Sequence, residues 1–264
     1  MFSVHDHNRE AWDELARQQI PLARPAGEKE FAKLQFIINP FGWVDFEVRG
    51  KRVLCLAAGG GKHSALFAAA GAETTVVDIS PAMLDLDRKI AAERGFRINV
   101  VEASMDNLAA LPDAHFDLVV QPVSTCYVPS ILPVYREVAR VTAPGGLYIS
   151  QHKQPVNLQA SLRIATIGYP LLEPYYRSGP LPPVPTGSAL RESGTLEFLH
   201  RWDELLGGLC RAGFVIEDTF EPKHGDSAAT LGSFGHRCWF IPPYFAIKAR
   251  RKVTAVAERK LVVV

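Results

Sequence analysis

Dense apolar runs alternate along the first half of the chain with stretches of helical period, the pattern of buried strands linked by amphipathic helices. Val53-Leu-Cys-Leu56 reads as a buried strand that stops abruptly at Ala57-Ala-Gly-Gly-Gly61. Glycines there permit backbone conformations closed to other residues and let a ligand approach the main chain. The Ala-rich stretch from Ser64 to Ala70 predicts the following helix, and Val76-Val77 predicts a second strand ending in Asp78. Ser80 then predicts a helix cap and Pro81 the first helical residue. Met83, Leu86 and Ile90 continue one face of that helix, and Gly95 predicts its end. Ile98 to Val101 reads as a third strand.

A glycine turn followed about twenty residues later by a strand-end acid is the front half of a nucleotide-type site. Gly59-x-Gly61-x-x-Ser64 is one substitution from the dinucleotide fingerprint. The stretch also resembles the first motif of the class I S-adenosylmethionine-dependent methyltransferases, an acid, any residue, then Gly-x-Gly-x-Gly. Gly59 and Gly61 match it, while Cys55 occupies the acidic position and Ala57 that of the first glycine. Asp78-Ile-Ser-Pro-Ala-Met-Leu84 resembles the second motif. In Glu102-Ala-Ser-Met-Asp-Asn-Leu108, Ser104 stands where relatives place the acid that meets the adenine amino group, with Asp106 close by.

Later landmarks extend the resemblance. Phe116 to Val120 is similar to the fourth strand, and Arg136 to Ser150 to a helix, turn and fifth strand, with Ile131, Val134, Val138 and Val141 at core spacing. Leu199 to Asp218 is similar to the last helix and sixth strand of small-molecule methyltransferases, and Trp239 to Ala249 to the seventh. The resemblance spans roughly residues 50–152 and 196–250. It implies a single α/β domain over 1–264, a three-layer Rossmann-like methyltransferase fold with a seven-stranded, mostly parallel sheet. Residues 1–49 would be an N-terminal cover segment, 50–152 the cofactor-binding core, 153–195 a substrate lid after the fifth strand, and 196–250 the remainder of the core. The tail, 251–264, reads as a fringe strand or an unordered end. The implied cofactor is S-adenosyl-L-methionine, held by Ala57, Gly59, Gly60, Gly61, Asp78, Ile79, Ser104, Met105, Asp106 and Gln121.

Composition narrows the partners. Of 264 residues, 29 are Lys or Arg and 28 Asp or Glu, so the net charge of +1 gives no footprint for nucleic acid or an anionic membrane. The polar first ten residues do not read as a signal peptide, and no run approaches a membrane span. Four scattered cysteines (Cys55, Cys126, Cys210, Cys238) suggest a reducing compartment, and the expectation is a cytoplasmic protein acting on a small molecule. Its oligomeric state is not readable.

Ligands of open α/β sheets sit beyond the carboxyl ends of the strands. Gln121 to Tyr127 and Gln151 to Gln154, after the fourth and fifth strands, are therefore expected to face the transferred methyl. His152 is the leading general base, since an imidazole titrates near neutrality, and Tyr127 the second candidate. His200 reads as a cap or packing residue. His5, His7, His63, His115, His224 and His236 lack metal-ligand spacing and read as surface or structural groups, and no metal is expected. Three look-alikes fail on context. Pro242-Pro243-Tyr244 lies far from the fourth strand, where the nitrogen methyltransferases carry their similar motif. Tyr244-x-x-x-Lys248 sits in the expected seventh strand, which spreads its ends to roughly 13 Å. The basic run 248–252 reads as a solvated end. A nicotinamide-dependent oxidoreductase and a non-catalytic cofactor-binding protein stand as alternatives, with a thiol-based chemistry at Cys126, such as arsenic methylation, as a variant.

Overall fold

A computed structural model describes residues 3–184 and 188–253. Seven strands make one sheet: β1 (Arg52–Leu56), β2 (Glu73–Asp78), β3 (Ile98–Glu102), β4 (Phe116–Gln121), β5 (Thr142–Lys153), β6 (Phe214–Phe220) and β7 (Tyr244–Arg251), in the order β3-β2-β1-β4-β5-β7-β6. The first five are parallel, and β7 runs antiparallel to both β5 and β6. The insertion of β7 distinguishes this sheet from the 3-2-1-4-5-6 order of dinucleotide-binding domains. The nicotinamide alternative thereby loses its structural support.

The helices are α1 (Val4–Arg17), α2 (Glu28–Phe31), α3 (Leu34–Ile38), α4 (His63–Ala69), α5 (Pro81–Arg94), α6 (Ile131–Val141), α7 (Pro155–Gln159), α8 (Gly208–Arg211, preceded by a π-helical turn, Asp203–Gly207) and α9 (Phe234–Phe240). Side chains alternate across a strand, so β1 divides its apolar run between two cores. Val53 and Cys55 pack with Ile38, Leu66, Phe67 and Leu84 on one face, and Leu54 and Leu56 with Ile131, Val134, Val138 and Leu209 on the other. Burial on both faces is why the run is continuous rather than alternating.

The cap chemistry of α5 is as the sequence predicts. Ser80 Oγ accepts the Met83 N–H at 3.1 Å, Pro81 opens the helix, and Gly95 ends it in the left-handed region at φ 68°. The seventh strand begins later than expected, at Tyr244, because Trp239 and Phe240 belong to α9. The basic run is not a solvated end: Lys248 and Arg250 pair with Asp45 and Glu217, and Arg251 donates to the Thr142 carbonyl. The expected fringe strand falls on the tail beyond Val253, outside the described residues. Among the described residues, no helix is long and apolar enough to cross a membrane.

The N-terminal segment is strapped to the carboxyl edge of the sheet. Trp12 and Ala16 of α1 pack with Met83 of α5, and Asp13 Oδ1 accepts from the Ser80 hydroxyl (2.6 Å) and the Ala82 N–H (3.1 Å). One turn earlier, Asn8 is 3% exposed. Its amide donates to the carbonyls of Tyr127 (2.8 Å) and Leu196 (3.0 Å) and accepts the Leu196 N–H (2.8 Å). Asn8→Ala would leave these main-chain groups unpaired in a dry setting, so stability should fall by about 2 kcal/mol. Urea unfolding of the variant checks this, and a change below about 0.5 kcal/mol would mean that water replaces the amide.

Candidate active site

After β1 the chain turns through left-handed conformations at Ala57 (φ 46°), Gly60 (φ 109°) and Gly61 (φ 72°). A side chain at Gly59 has no room. Its Cβ would stand 2.8 Å from Met83 Cβ and 2.9 Å from Asp78 Oδ2. Two acids hold the loop by its main chain. Asp78 accepts the Gly59 N–H at 2.9 Å through Oδ2 and the Ser80 N–H at 3.0 Å through Oδ1. Asp87, fully buried on α5, accepts the Gly60 N–H at 2.9 Å and the Ser64 hydroxyl. Cys55 is itself core, its thiol pushed up by burial, so the loop-ordering carboxylate comes from α5 rather than from the first motif.

Beside this loop lies a cavity of about 180 Å³ at the carboxyl ends of the parallel strands. Of the residues expected to hold the cofactor, Ala57, Gly59, Asp78, Ile79, Ser104 and Met105 border it, and so does Tyr127. A glycine too close to its neighbours for a side chain, next to a strand-end carboxylate, fits a nucleoside-bearing cofactor. Burial raises the Asp78 carboxyl above its ordinary value, and the repulsion of Asp13 adds to this, while the main-chain N–H groups it accepts pull it down.

Four of the expected cofactor residues do not line this cavity. Gly60 turns its N–H under the loop toward Met83 O and Asp87, and Gly61 takes the Ala26 N–H on its carbonyl. Asp106 is occupied by the Ser104 hydroxyl (2.5 Å) and His5 Nε2 (2.9 Å). Gln121 is 2% exposed, accepting from Tyr148 and donating to Ser124. Conversely, His5, Asn8 and Trp12 of α1 form the roof, and Lys62 and His63 reach the wall from the loop. His5 and His63, expected at the surface or in the core, therefore stand at the cavity. The spacing of Asn8 and Trp12 was the signal for the roof, since residues four apart share a helix face. None of residues 153–195, the expected lid, is among the lining residues described.

His152 is not placed to act as a base. It is fully buried, Nδ1 shares a 2.8 Å hydrogen bond with Thr125 Oγ1, and Nε2 shares another of 2.8 Å with Ser150 Oγ. Its ring stacks on Phe245, with centroids 5.1 Å apart, and burial lowers its pKa to about 3. Both nitrogens are spent on structure. Tyr127 lines the cavity with its ring, but its hydroxyl donates to Glu192 at 2.5 Å. Burial and the neighbouring acids raise its pKa well above the ordinary range, so it is a hydrogen-bond donor and not a base. Cys126 is buried outside the cavity, its thiol raised by burial, which removes the ground for thiol chemistry. His200 is a packing residue, sharing a hydrogen bond with the Thr125 carbonyl at 2.8 Å.

Glu192 belongs to a buried ionic cluster. Lys153 pairs with Glu192 (2.8 Å) and Glu197, and Arg191 pairs with Glu197. Burial opposes the charge on Glu192, but Lys153 and the hydrogen bonds from Lys153 and Tyr127 outweigh it and lower its pKa. The cluster bolts the end of the insertion to the end of β5. Among the described residues, no group of three or more His, Cys, Asp or Glu side chains could hold a metal ion.

A strand order of 3-2-1-4-5-7-6 and a glycine loop beside a strand-end acid define the Rossmann-like methyltransferase class. Residues 54–150 match the family described as a methyltransferase domain. The chain is 32% identical over 232 residues to an uncharacterized methyltransferase, YbaJ, of Bacillus subtilis, covering 83% of this chain and 91% of that one. It is 33% identical over 124 residues to a ubiquinone biosynthesis O-methyltransferase of Bordetella pertussis, covering 45% of this chain and 51% of that protein. A crystal structure of an S-adenosylmethionine-dependent methyltransferase from Mesorhizobium loti superposes with a TM-score of 0.65 at 24% identity, over 85% of this chain and 99% of the other. The protein belongs to the class I S-adenosylmethionine-dependent methyltransferases, and S-adenosylmethionine is its methyl donor.

Asp87 gives this loop a pH signature. Burial, with the repulsion of Asp78, raises its carboxyl from the ordinary 3.8 to about 6, against the hydrogen bonds from Ser64, Gly60 and Gly61. Between these values the folded protein keeps a proton that the unfolded chain has released. The associated stability is present below about pH 4 and lost as the pH rises through about 6. Asp87→Asn keeps an acceptor oxygen and removes the titration. The stability of the variant relative to wild type should therefore rise by roughly 3 kcal/mol between about pH 4 and pH 7, read by denaturant unfolding across that range. A difference that does not vary with pH would show that Asp87 is ionised at no cost.

Proposed function

We propose that the protein methylates a small molecule in a cleft closed by its own N-terminal helix. The observation that carries this reading is the roof. Residues His5, Asn8 and Trp12 of α1 border the donor cavity and the helix is tied down by Asn8 and Asp13, so the site is a partly covered cleft suited to a small molecule. The near-neutral charge supports the same reading, and so does the O-methyltransferase activity named for the Bordetella relative.

The bound donor supplies an activated sulfonium methyl group. Asp78 would receive the ribose hydroxyls on lone pairs left free by Gly59 and Ser80, because each carboxylate oxygen can accept twice. Ser104 and Met105 would flank the base, and Ala57 and Gly59 would bring main chain against the remainder. Trp12 and Tyr127, in edge-to-face contact with centroids 5.4 Å apart, would shield the bound donor from water. The hydrogen bond from Tyr127 to Glu192 holds that ring in place.

The ribose assignment is tested by Asp78→Asn. Charge-assisted hydrogen bonds contribute about 1.5–3 kcal/mol each, so affinity for S-adenosylhomocysteine should fall at least about tenfold by calorimetry, with the far-ultraviolet circular dichroism unchanged. Undiminished affinity in the folded variant would place the donor elsewhere.

A further inference from the structure

A second cavity of about 110 Å³ opens on the far side of the donor site. Its floor is the carboxyl end of β4 and β5, with Pro122 and Gln151, and its walls are Ile37 and Phe41 from the N-terminal segment and Phe67 of α4. His63 and Pro122 line both this trough and the donor cavity, so the two spaces meet at these residues. Gln121 and Ser150 also border the trough, but their side chains are committed to Tyr148, Ser124 and His152. Among the described residues, the His63 ring and the Gln151 amide border it without any protein hydrogen-bond partner, and neither contains a buried unpartnered atom. Their polar atoms are therefore accessible, on residues that border the cavities.

We propose that this trough is the acceptor site, that it takes a planar, largely apolar molecule bearing a hydroxyl or N–H group, and that His63 accepts that hydrogen at the junction with the donor cavity. The assignment rests on the small-molecule reading above. Its walls are mostly apolar. At about 110 Å³ it is smaller than the roughly 150 Å³ closed cavity that accommodates benzene but open on one side, so a single ring is the largest group it would take. A pocket that is apolar except for a few unsatisfied polar groups selects ligands by the placement of their polar atoms. The imidazole is suited to accept. Burial lowers its pKa to about 4, aided by the adjacent Lys62 ammonium, so the ring is neutral at neutral pH and carries one acceptor nitrogen. Gln151, on β5, is the group placed to hold a second polar substituent. His63 is half-buried at the start of α4, directly after the glycine loop, so the segment that positions the donor also positions this ring.

Phenol is the probe, with toluene as its counterpart lacking the hydroxyl, each titrated into the protein with S-adenosylhomocysteine present. Phenol should shift the His63 ring resonances, and toluene should bind the same trough without the shift that a hydrogen bond produces. Ile37→Trp, which fills the trough, should weaken phenol at least about tenfold while S-adenosylhomocysteine binds within about twofold of wild type. His63→Leu should weaken phenol about fivefold and leave toluene unaffected, whereas His63→Gln, which retains an acceptor, should stay within about twofold. Phenol binding that survives Ile37→Trp, or that leaves the His63 ring unshifted, overturns the proposal. Failure of S-adenosylhomocysteine to bind wild type would instead refute the donor-site reading, because the phenol and toluene titrations can be repeated without it.

Discussion

Asp78 and Asp87 accept adjacent main-chain N–H groups of one loop, and the remainder of the site is hung from that arrangement. Without Asp78 the Gly59 N–H would lose its acceptor, a cost of about 1–3 kcal/mol, and without Asp87 the Gly60 N–H would keep only its 3.1 Å bond to the Met83 carbonyl. With them, the loop is fixed between β2 and α5 and leaves its upper surface bare for a ligand. The same junction anchors the roof, because Ser80, whose N–H is taken by Asp78, gives its hydroxyl to Asp13 of α1. Donor cradle, helix cap and cover are thus consecutive links of one hydrogen-bonded chain. This explains how the loop tolerates Cys55 and Ala57. The motif works through its main chain, so any carboxylate that reaches the N–H groups can order it, and α5 supplies one.

The central fold was legible because its signals are local. Ser80-Pro81 and Gly95 bound a helix by cap chemistry, and the Val53–Leu56 run implies burial on both sheet faces. Helix α9 was not legible, since Phe234–Phe240 is short and its start depends on one Ser233 cap. The site divided in the same way. Ala57, Gly59, Asp78, Ile79, Ser104 and Met105 follow from position at strand ends, whereas His152 misled for a reason of register. It sits at the end of β5 as expected, but its ring faces Phe245 of β7, a strand that returns from the far end of the chain. Which face of a strand is covered depends on a partner that spacing alone does not reveal. Gln121 failed similarly, its amide drawn inward by the Tyr148 hydroxyl. His5 and His63 were overlooked for the opposite reason, because no local pattern marks a histidine that long-range packing leaves facing a cavity.

The ionic cluster of Lys153, Glu192, Glu197 and Arg191 is better read as a specificity device than as a source of stability. Desolvating four charges costs several kcal/mol per ion, which attraction repays only with good geometry. The cluster does something that apolar packing would not. It fixes the direction of Glu192, which takes the Tyr127 hydroxyl and so sets the ring that closes the donor cavity. Glu192 thereby links the end of the insertion to a ring that borders the donor cavity. Arg237 performs the matching task at the other end, donating to the Asn157, Ala160 and Ser161 carbonyls and holding the segment after α7 against α9.

Donor and acceptor recognition are consequently built from different kinds of sequence. The donor cradle uses backbone groups of the sheet and its first turns, which many side-chain combinations can support. The trough is walled by the N-terminal segment and by side chains at the ends of β4 and β5, where a single change alters shape or polarity. A fold shared by many methyltransferases can keep the first and vary the second, so fold alone cannot name an acceptor. His63 lies at the boundary between these two constraints. Its backbone follows directly on the glycine loop and its ring borders both cavities, which makes it the point where donor and acceptor recognition meet.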